Sequence, residues 1–149
     1  MPYMRLVHST MTRAIQTAEL IHEHIEHVPM ESCELIREGE PVPPEPPFGI
    51  MKPESKFFSD GARIEAGFRK YFHRAPPSQD KDSYEIVVCH ANVIRYWICR
   101  AMQLPPEAWA RISLANCSIT VVSINPNGRL FVRSIGDTGH FPKEYVTTG

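Results

Sequence analysis

The segment Val88-Cys89-His90-Ala91-Asn92-Val93-Ile94-Arg95 puts an imidazole where an apolar run gives way to a helical pattern. In open α/β sheets, ligands bind beyond the carboxyl ends of the strands. The amides that open a helix favour an anion. His90 is therefore a candidate for holding an anionic group, the plainer alternative being a satisfied polar side chain at a strand end. Cys89 and Arg95 also fall in the spacing C-x5-R. That spacing suits a thiolate attacking phosphorus while loop amides and the arginine hold the phosphate. Such a loop needs glycine for close backbone approach. Residues 91–94 are Ala, Asn, Val and Ile, so Cys89 is expected to point into the core.

A second junction, His8-Ser9-Thr10-Met11-Thr12-Arg13-Ala14, sets hydroxyls and an arginine at another helix start. A cation there gains nothing from the helix dipole unless an anion docks beside it. Arg13 is thus a candidate phosphate ligand, against a surface arginine near ordinary caps. In Leu35-Ile36-Arg37-Glu38-Gly39, a carboxyl lies close to apolar neighbours. Such a carboxyl can hold its proton to higher pH and act as an acid, against a solvated loop glutamate. In His22-Glu-His24-Ile-Glu-His27, His22 and Glu26 share a helical spacing. The other histidines fall partly on other faces and nothing nearby fixes a fourth ligand, so a solvated helix end is favoured over zinc.

These residues need elements to position them. Met4–His8 reads as a strand, followed by a helix with Ala14, Ala18, Ile21 and Ile25 on one face and ended by Pro29. Residues 30–36 read as a second short strand. Six prolines fall between Pro41 and Pro53, which predicts an extended surface loop over 41–53. Phe57, Ile64, Phe68, Tyr71 and Phe72 mark a second helix. Tyr84–Cys89 reads as a buried central strand because Ile86, Val87 and Val88 are consecutive and apolar. Asn92–Gln103 follows as a helix with Ile94, Ile98, Ala101 and Met102 inward, and Pro105-Pro106 opens a short helical turn. Ile119–Ile124 and Leu130–Ile135 form a hairpin about Asn127-Gly128. Trp97, Trp109 and Phe131 are expected in a core or interface. The alternation predicts an α/β domain, its sheet mostly parallel with an antiparallel hairpin at one edge.

The 149 residues, 42% apolar and 22% charged, suit one domain. A formal charge of −1 gives no global field to draw nucleic acid or an anionic membrane. No stretch is long and apolar enough to span a bilayer. Cys33, Cys89, Cys99 and Cys117 form no C-x-x-C pair, which favours free thiols.

Taken together, HSTMTRAIQTAE, LIREG, the proline loop through MKPE, DGARIEAGFRKYFHRA, SYEIVVCHANVIRYWICRA and NPNGR followed by GDTG resemble the histidine phosphatase (phosphoglycerate mutase) superfamily. The likeness is to its mitochondrial serine/threonine-protein phosphatases. It implies a three-layer α/β/α sandwich and transfer through a phosphohistidine. Arg13 would bind phosphate and His90 would stabilise the transferring phosphoryl group. Glu38 would protonate the leaving oxygen, and Asn92 would lie at the pocket rim. The resemblance implies phosphoprotein substrates, no metal or other cofactor, a homo-oligomer and a mitochondrial outer-membrane setting.

One departure matters. The family's nucleophile sits in an Arg-His-Gly motif after its first strand, and no Arg-His-Gly occurs in these 149 residues. The chain is expected to be a single domain over 1–149 without the family's first strand and helix, inactive by itself. The expected fold is marginal, with exposed sheet edges that self-associate, because net stability is typically only about 5–15 kcal/mol. His8, at a strand end, is a remote alternative nucleophile.

Overall fold

The computed structural model describes residues 1–149. Strand β1 (Tyr3–Ser9) is followed by helix α1 (Thr12–His22), β2 (Met30–Cys33) and a 3₁₀ turn at Glu34–Ile36. Helix α2 (Glu54–Tyr71), β3 (Tyr84–Val88) and α3 (Ala91–Ala101) come next. A 3₁₀ segment Pro106–Arg111, the hairpin β4 (Ile119–Ile124) and β5 (Leu130–Asp137), and a 3₁₀ turn at Lys143–Tyr145 complete the chain.

The sheet is parallel, in the order β2-β1-β3, with Leu6 opposite both Met30 and Ile86. The central strand is therefore β1, not the Ile86–Val88 run expected there. Leu6 and Val7 are fully buried, whereas Ile86, Val87 and Val88 on the edge strand are half-buried. Three consecutive apolar residues suited a central strand, but pairing partners decide which strand is covered on both faces. The hairpin bonds to neither edge of this sheet and forms a two-stranded sheet of its own. Its turn matches the expected residues: Gly128 has φ +85°, and the Asn127 side-chain oxygen accepts the Arg129 amide at 3.0 Å.

Side chains alternate along β1, so Leu6 and Val7 face opposite ways. Val7 joins Cys33, Ile36, Ile64, Val93, Tyr96 and Trp97 in one cluster between the sheet and helices α2 and α3. Helix α1 packs on β1 and β3 through Ala14 and Ala18, whose small side chains allow close approach. It stops at His22 rather than at Pro29: turns at 23–24 and 26–27 follow, and His22 Nε2 bonds the Val28 carbonyl at 2.8 Å. Helix α3 buries Val93, Tyr96, Trp97, Ile98 and Cys99. Of the four inner positions expected there, only Ile98 is buried; Met102 is 48% exposed. The bulky Trp97 sets the rotation instead. Its indole donates to the Ile64 carbonyl at 3.1 Å, and a methyl group at Gly67 would press on its ring.

Residues 41–53 carry no helix or strand and lie mostly at the surface. Pro41 and Pro44 are the exceptions, both buried. Trp109 is also buried, and its indole donates to the Val42 carbonyl at 2.8 Å. Phe131 is half-buried beneath Arg129 and Arg133. No helix is long and apolar enough to cross a membrane.

Candidate functional site

Two strand-to-helix junctions meet at the carboxyl end of the parallel sheet. β1 leads into α1 through Ser9, and its neighbour β3 leads into α3 through His90. His90 is 5% exposed, and its Nε2 lies 2.8 Å from the Ser9 hydroxyl oxygen. The Met11 amide already donates to that oxygen at 3.2 Å. The hydroxyl proton is therefore free to point at an unprotonated Nε2. Burial, reinforced by the charges of Arg13, Arg37 and Arg63, pulls His90 down to about 4, so the ring is neutral at pH 7.

Glu38 enters from the loop after the first 3₁₀ turn. One carboxylate oxygen accepts the Asn92 amide at 3.3 Å and the other accepts the Gly39 amide at 3.2 Å. Asn92 lies in the first turn of α3, which has no side-chain cap of its own. Glu38 thus caps that helix from a distant segment. The amides expected to favour an external anion are already occupied by this carboxyl. Burial raises Glu38 above the ordinary glutamate value, against the lowering effect of the Asn92, Gly39 and Val93 amides and of Arg13. A buried carboxyl that holds its proton longer than usual is suited to donate it.

Arg13 stands on the first turn of α1. Its guanidinium makes no hydrogen bond or ion pair within the chain, yet its charge acts on both Glu38 and His90. Arg37 donates to the Thr10 hydroxyl at 2.8 Å and so joins the Glu38 loop to the first junction. Asn92 also makes bonds within the chain. Its side-chain amide donates to the Gly39 carbonyl at 3.1 Å, and its oxygen accepts from Arg95 at 2.9 Å. It holds the acid's loop while also lining a cleft of about 200 Å³ with Glu40, Phe48, Ile50, Phe57 and Trp109.

Other candidates are not brought together. Arg95 spends its Nε on the Ile112 carbonyl at 2.6 Å and its Nη1 on Asn92. Burial pushes the Cys89 thiol up to about 12, which disfavours the thiolate that a cysteine nucleophile requires. His8 is buried, its Nδ1 bonded to the Ser9 carbonyl at 2.9 Å. No group of three His, Cys, Asp or Glu side chains is placed to hold a metal ion. Sequence reasoning missed Ser9 as the partner of His90, and it missed Arg63, which donates to three carbonyls around Glu38.

The parallel sheet with its flanking helices, and two strand-to-helix junctions that meet at its carboxyl end, define an α/β protein of phosphoglycerate mutase-like fold. The sequence pattern of the histidine phosphatase superfamily (branch 1) matches residues 60–137, and the chain belongs to that family. It is 53% identical over 146 residues to the mitochondrial serine/threonine-protein phosphatase PGAM5 of Mus musculus, covering 97% of this chain and 51% of that protein. The Homo sapiens protein of that name is also 53% identical, over 97% of this chain and 50% of its own length. The chain therefore spans about half the length of these curated relatives. Among solved structures, a phosphoglycerate mutase from Plasmodium falciparum is similar at TM-score 0.69 and 33% identity, over 100% of this chain and 79% of that one. YhfR of Bacillus stearothermophilus shares the fold at TM-score 0.69, with 17% identity over 93% of this chain and 76% of its own.

Proposed function

We propose that residues 1–149 form one domain of a protein serine/threonine phosphatase that works through a phosphohistidine. The carrying observation is the unpaired Arg13 guanidinium, set so that its charge reaches both His90 and Glu38. Arg13 is exposed and makes no bond within the chain, so it is free to hold an anion that docks near His90 and Glu38.

In this reading Arg13 and His90 hold the phosphoryl oxygens. The serine or threonine Oγ–P bond breaks as a bond from phosphorus to an imidazole nitrogen forms. Glu38 gives its proton to the departing oxygen. The resulting carboxylate then takes a proton from water, whose oxygen attacks phosphorus and frees phosphate and the imidazole. The attacking imidazole belongs to an Arg-His-Gly motif that these 149 residues do not contain. The chain by itself is accordingly expected to bind phosphate without turning it over. Asn92 serves the acid, by holding its loop. The cleft beside Asn92, walled by Phe48, Ile50 and Met51, is open enough for a peptide flanking the phosphorylated residue. A mitochondrial setting and a homo-oligomer belong to the same reading, the former supported by the relatives' names.

The test is phosphate release from a phosphothreonine peptide by the purified chain. No release, with phosphate binding retained, agrees with the proposal. Release that survives Cys89→Ser and falls in Glu38→Gln would place the nucleophile inside these residues and end the claim that the chain is inactive. A scaffold that binds phosphate without ever being part of an enzyme is the second reading. The unpaired Arg13 favours it equally, and turnover restored by joining an Arg-His-Gly segment would exclude it.

A further inference from the structure

Helix α2 supplies no phosphate ligand in the reading above, yet one of its turns grips the loop that bears Glu38. Arg63 Nη1 donates to the Leu35 carbonyl at 3.2 Å and to the Arg37 carbonyl at 2.6 Å. Its Nη2 donates to the Glu38 carbonyl at 3.1 Å and to Asp60 Oδ1 at 3.4 Å. Asp60 Oδ2 in turn accepts the Glu40 amide at 3.0 Å. The backbone is thus held on both sides of the candidate acid by two residues one helical turn apart. Gly61, between them, lies so close to the Pro41 carbonyl that a methyl group would collide with it. At Gly39 a methyl group would meet Arg63 Nη2 at 2.6 Å and Asp60 at 2.7 Å. The loop has no regular backbone ladder, so these side chains provide the bonds that strands and helices provide elsewhere.

We propose that Arg63, steadied by Asp60, is a positioning residue for Glu38. Its guanidinium fork fixes the backbone from which the carboxyl reaches the first-turn amides of α3. This inference rests on the reading of Glu38 as the acid. A guanidinium presents several donors in a planar fork, and three carbonyls from residues 35, 37 and 38 use that shape. A lysine ammonium at the same place would keep the charge and lose the fork.

Around Glu38, Arg13 on α1 acts on the carboxyl through its charge, Arg63 on α2 holds its backbone carbonyl and is itself bonded to Asp60, and the Cys89 thiol ahead of α3 feels the charge of the carboxyl. Arg37 and Arg63 also act on the neighbouring His90. A titration of Glu38 must therefore be read at an atom that touches it. The Asn92 amide is that atom. In the full chain labelled with ¹⁵N, the Asn92 amide shift should follow protonation of Glu38, and Glu38→Gln should abolish that titration. In Arg63→Ala, and also in Arg63→Lys, the Asn92 amide should lose the titration while the hairpin resonances and cooperative unfolding persist. An amide that titrates with the parent midpoint in Arg63→Lys would show that charge alone suffices and overturn the proposal. So would an Asn92 amide that never responds to Glu38. Where Arg63→Ala does not fold, Arg63→Lys carries the comparison. None of these readouts depends on turnover. Absence of turnover after an Arg-His-Gly segment is joined, with these NMR results intact, would thus condemn the enzymatic reading and leave the positioning role standing.

Discussion

Residues 35–40 and 43–52 follow one another in the chain and both, apart from the end of one 3₁₀ turn, lack regular structure. They are built differently. The first is held by Arg63, Asp60 and Asn92 through bonds to the backbone on both sides of Glu38. The second hydrogen-bonds to the rest of the molecule through the Glu45 amide on the Glu107 carbonyl and through Arg111 on the Glu45 carbonyl, and buries Pro44. Its Phe48 and Ile50 are 70% and 90% exposed. The first loop is held by many bonds from side chains outside it; the second turns much of its apolar surface to solvent. In the proposed reading, the first fixes a carboxyl and the second is free to meet a substrate.

Four changes press on that contrast. Ile64→Ala, beneath the clamped loop and fully buried, should cost about 2–5 kcal/mol in denaturant unfolding. Gly61→Ala should cost about 1–3 kcal/mol, because the added methyl meets the Pro41 carbonyl and the two backbones must part. A neutral result there would mean that the close approach is not needed.

The third concerns pH. His90 falls from 6.5 in the unfolded chain to about 4 when folded. The unfolded chain then binds more protons between those values, so stability is fully present above 6.5 and is lost as pH falls through the window. Glu38 runs the other way. Its raised value gives stability that is present below 4.5 and is lost as pH rises through the folded value. Thermal midpoints measured from pH 4 to 7 should show a flatter acid limb in His90→Gln. They should show Glu38→Gln gaining on the parent toward neutrality. The fourth and smallest effect is Ile50→Ser, which should change stability by no more than about 0.5 kcal/mol. A large loss there would mean that the second loop is as firmly held as the first.

The periodicity of Ala14 and Ala18, the Asn127-Gly128 turn and the apolar strands made most elements readable from the chain alone. The rank of the strands was not readable. Ile86–Val88 and Leu6–Val7 look alike, and only the pairing of β1 on both sides distinguishes them. Cys89, expected in the core because no glycine follows it, is half-buried and packs against the core cluster. The acid's supports were hidden for a different reason. Arg63 sits on the polar side of α2, 25 positions from Glu38, and nothing local marks an arginine whose partners are backbone carbonyls. The hydroxyls of Ser9 and Thr10 suggested a cap, yet α1 is N-capped by Met11 with no side-chain bond, and the bond of Ser9 to His90 joins residues 81 apart. Helix α3 lacked a capping side chain in sequence because its cap comes from Glu38.

The central claim is that Arg13, His90 and Glu38 form one site for a phosphoryl group. Calorimetric titration of inorganic phosphate into the chain, beside Arg13→Ala, tests it most directly. The account predicts saturable one-site binding by the parent chain and its loss in Arg13→Ala, with the thermal midpoint of the variant unchanged. Equal binding by the two proteins would contradict it.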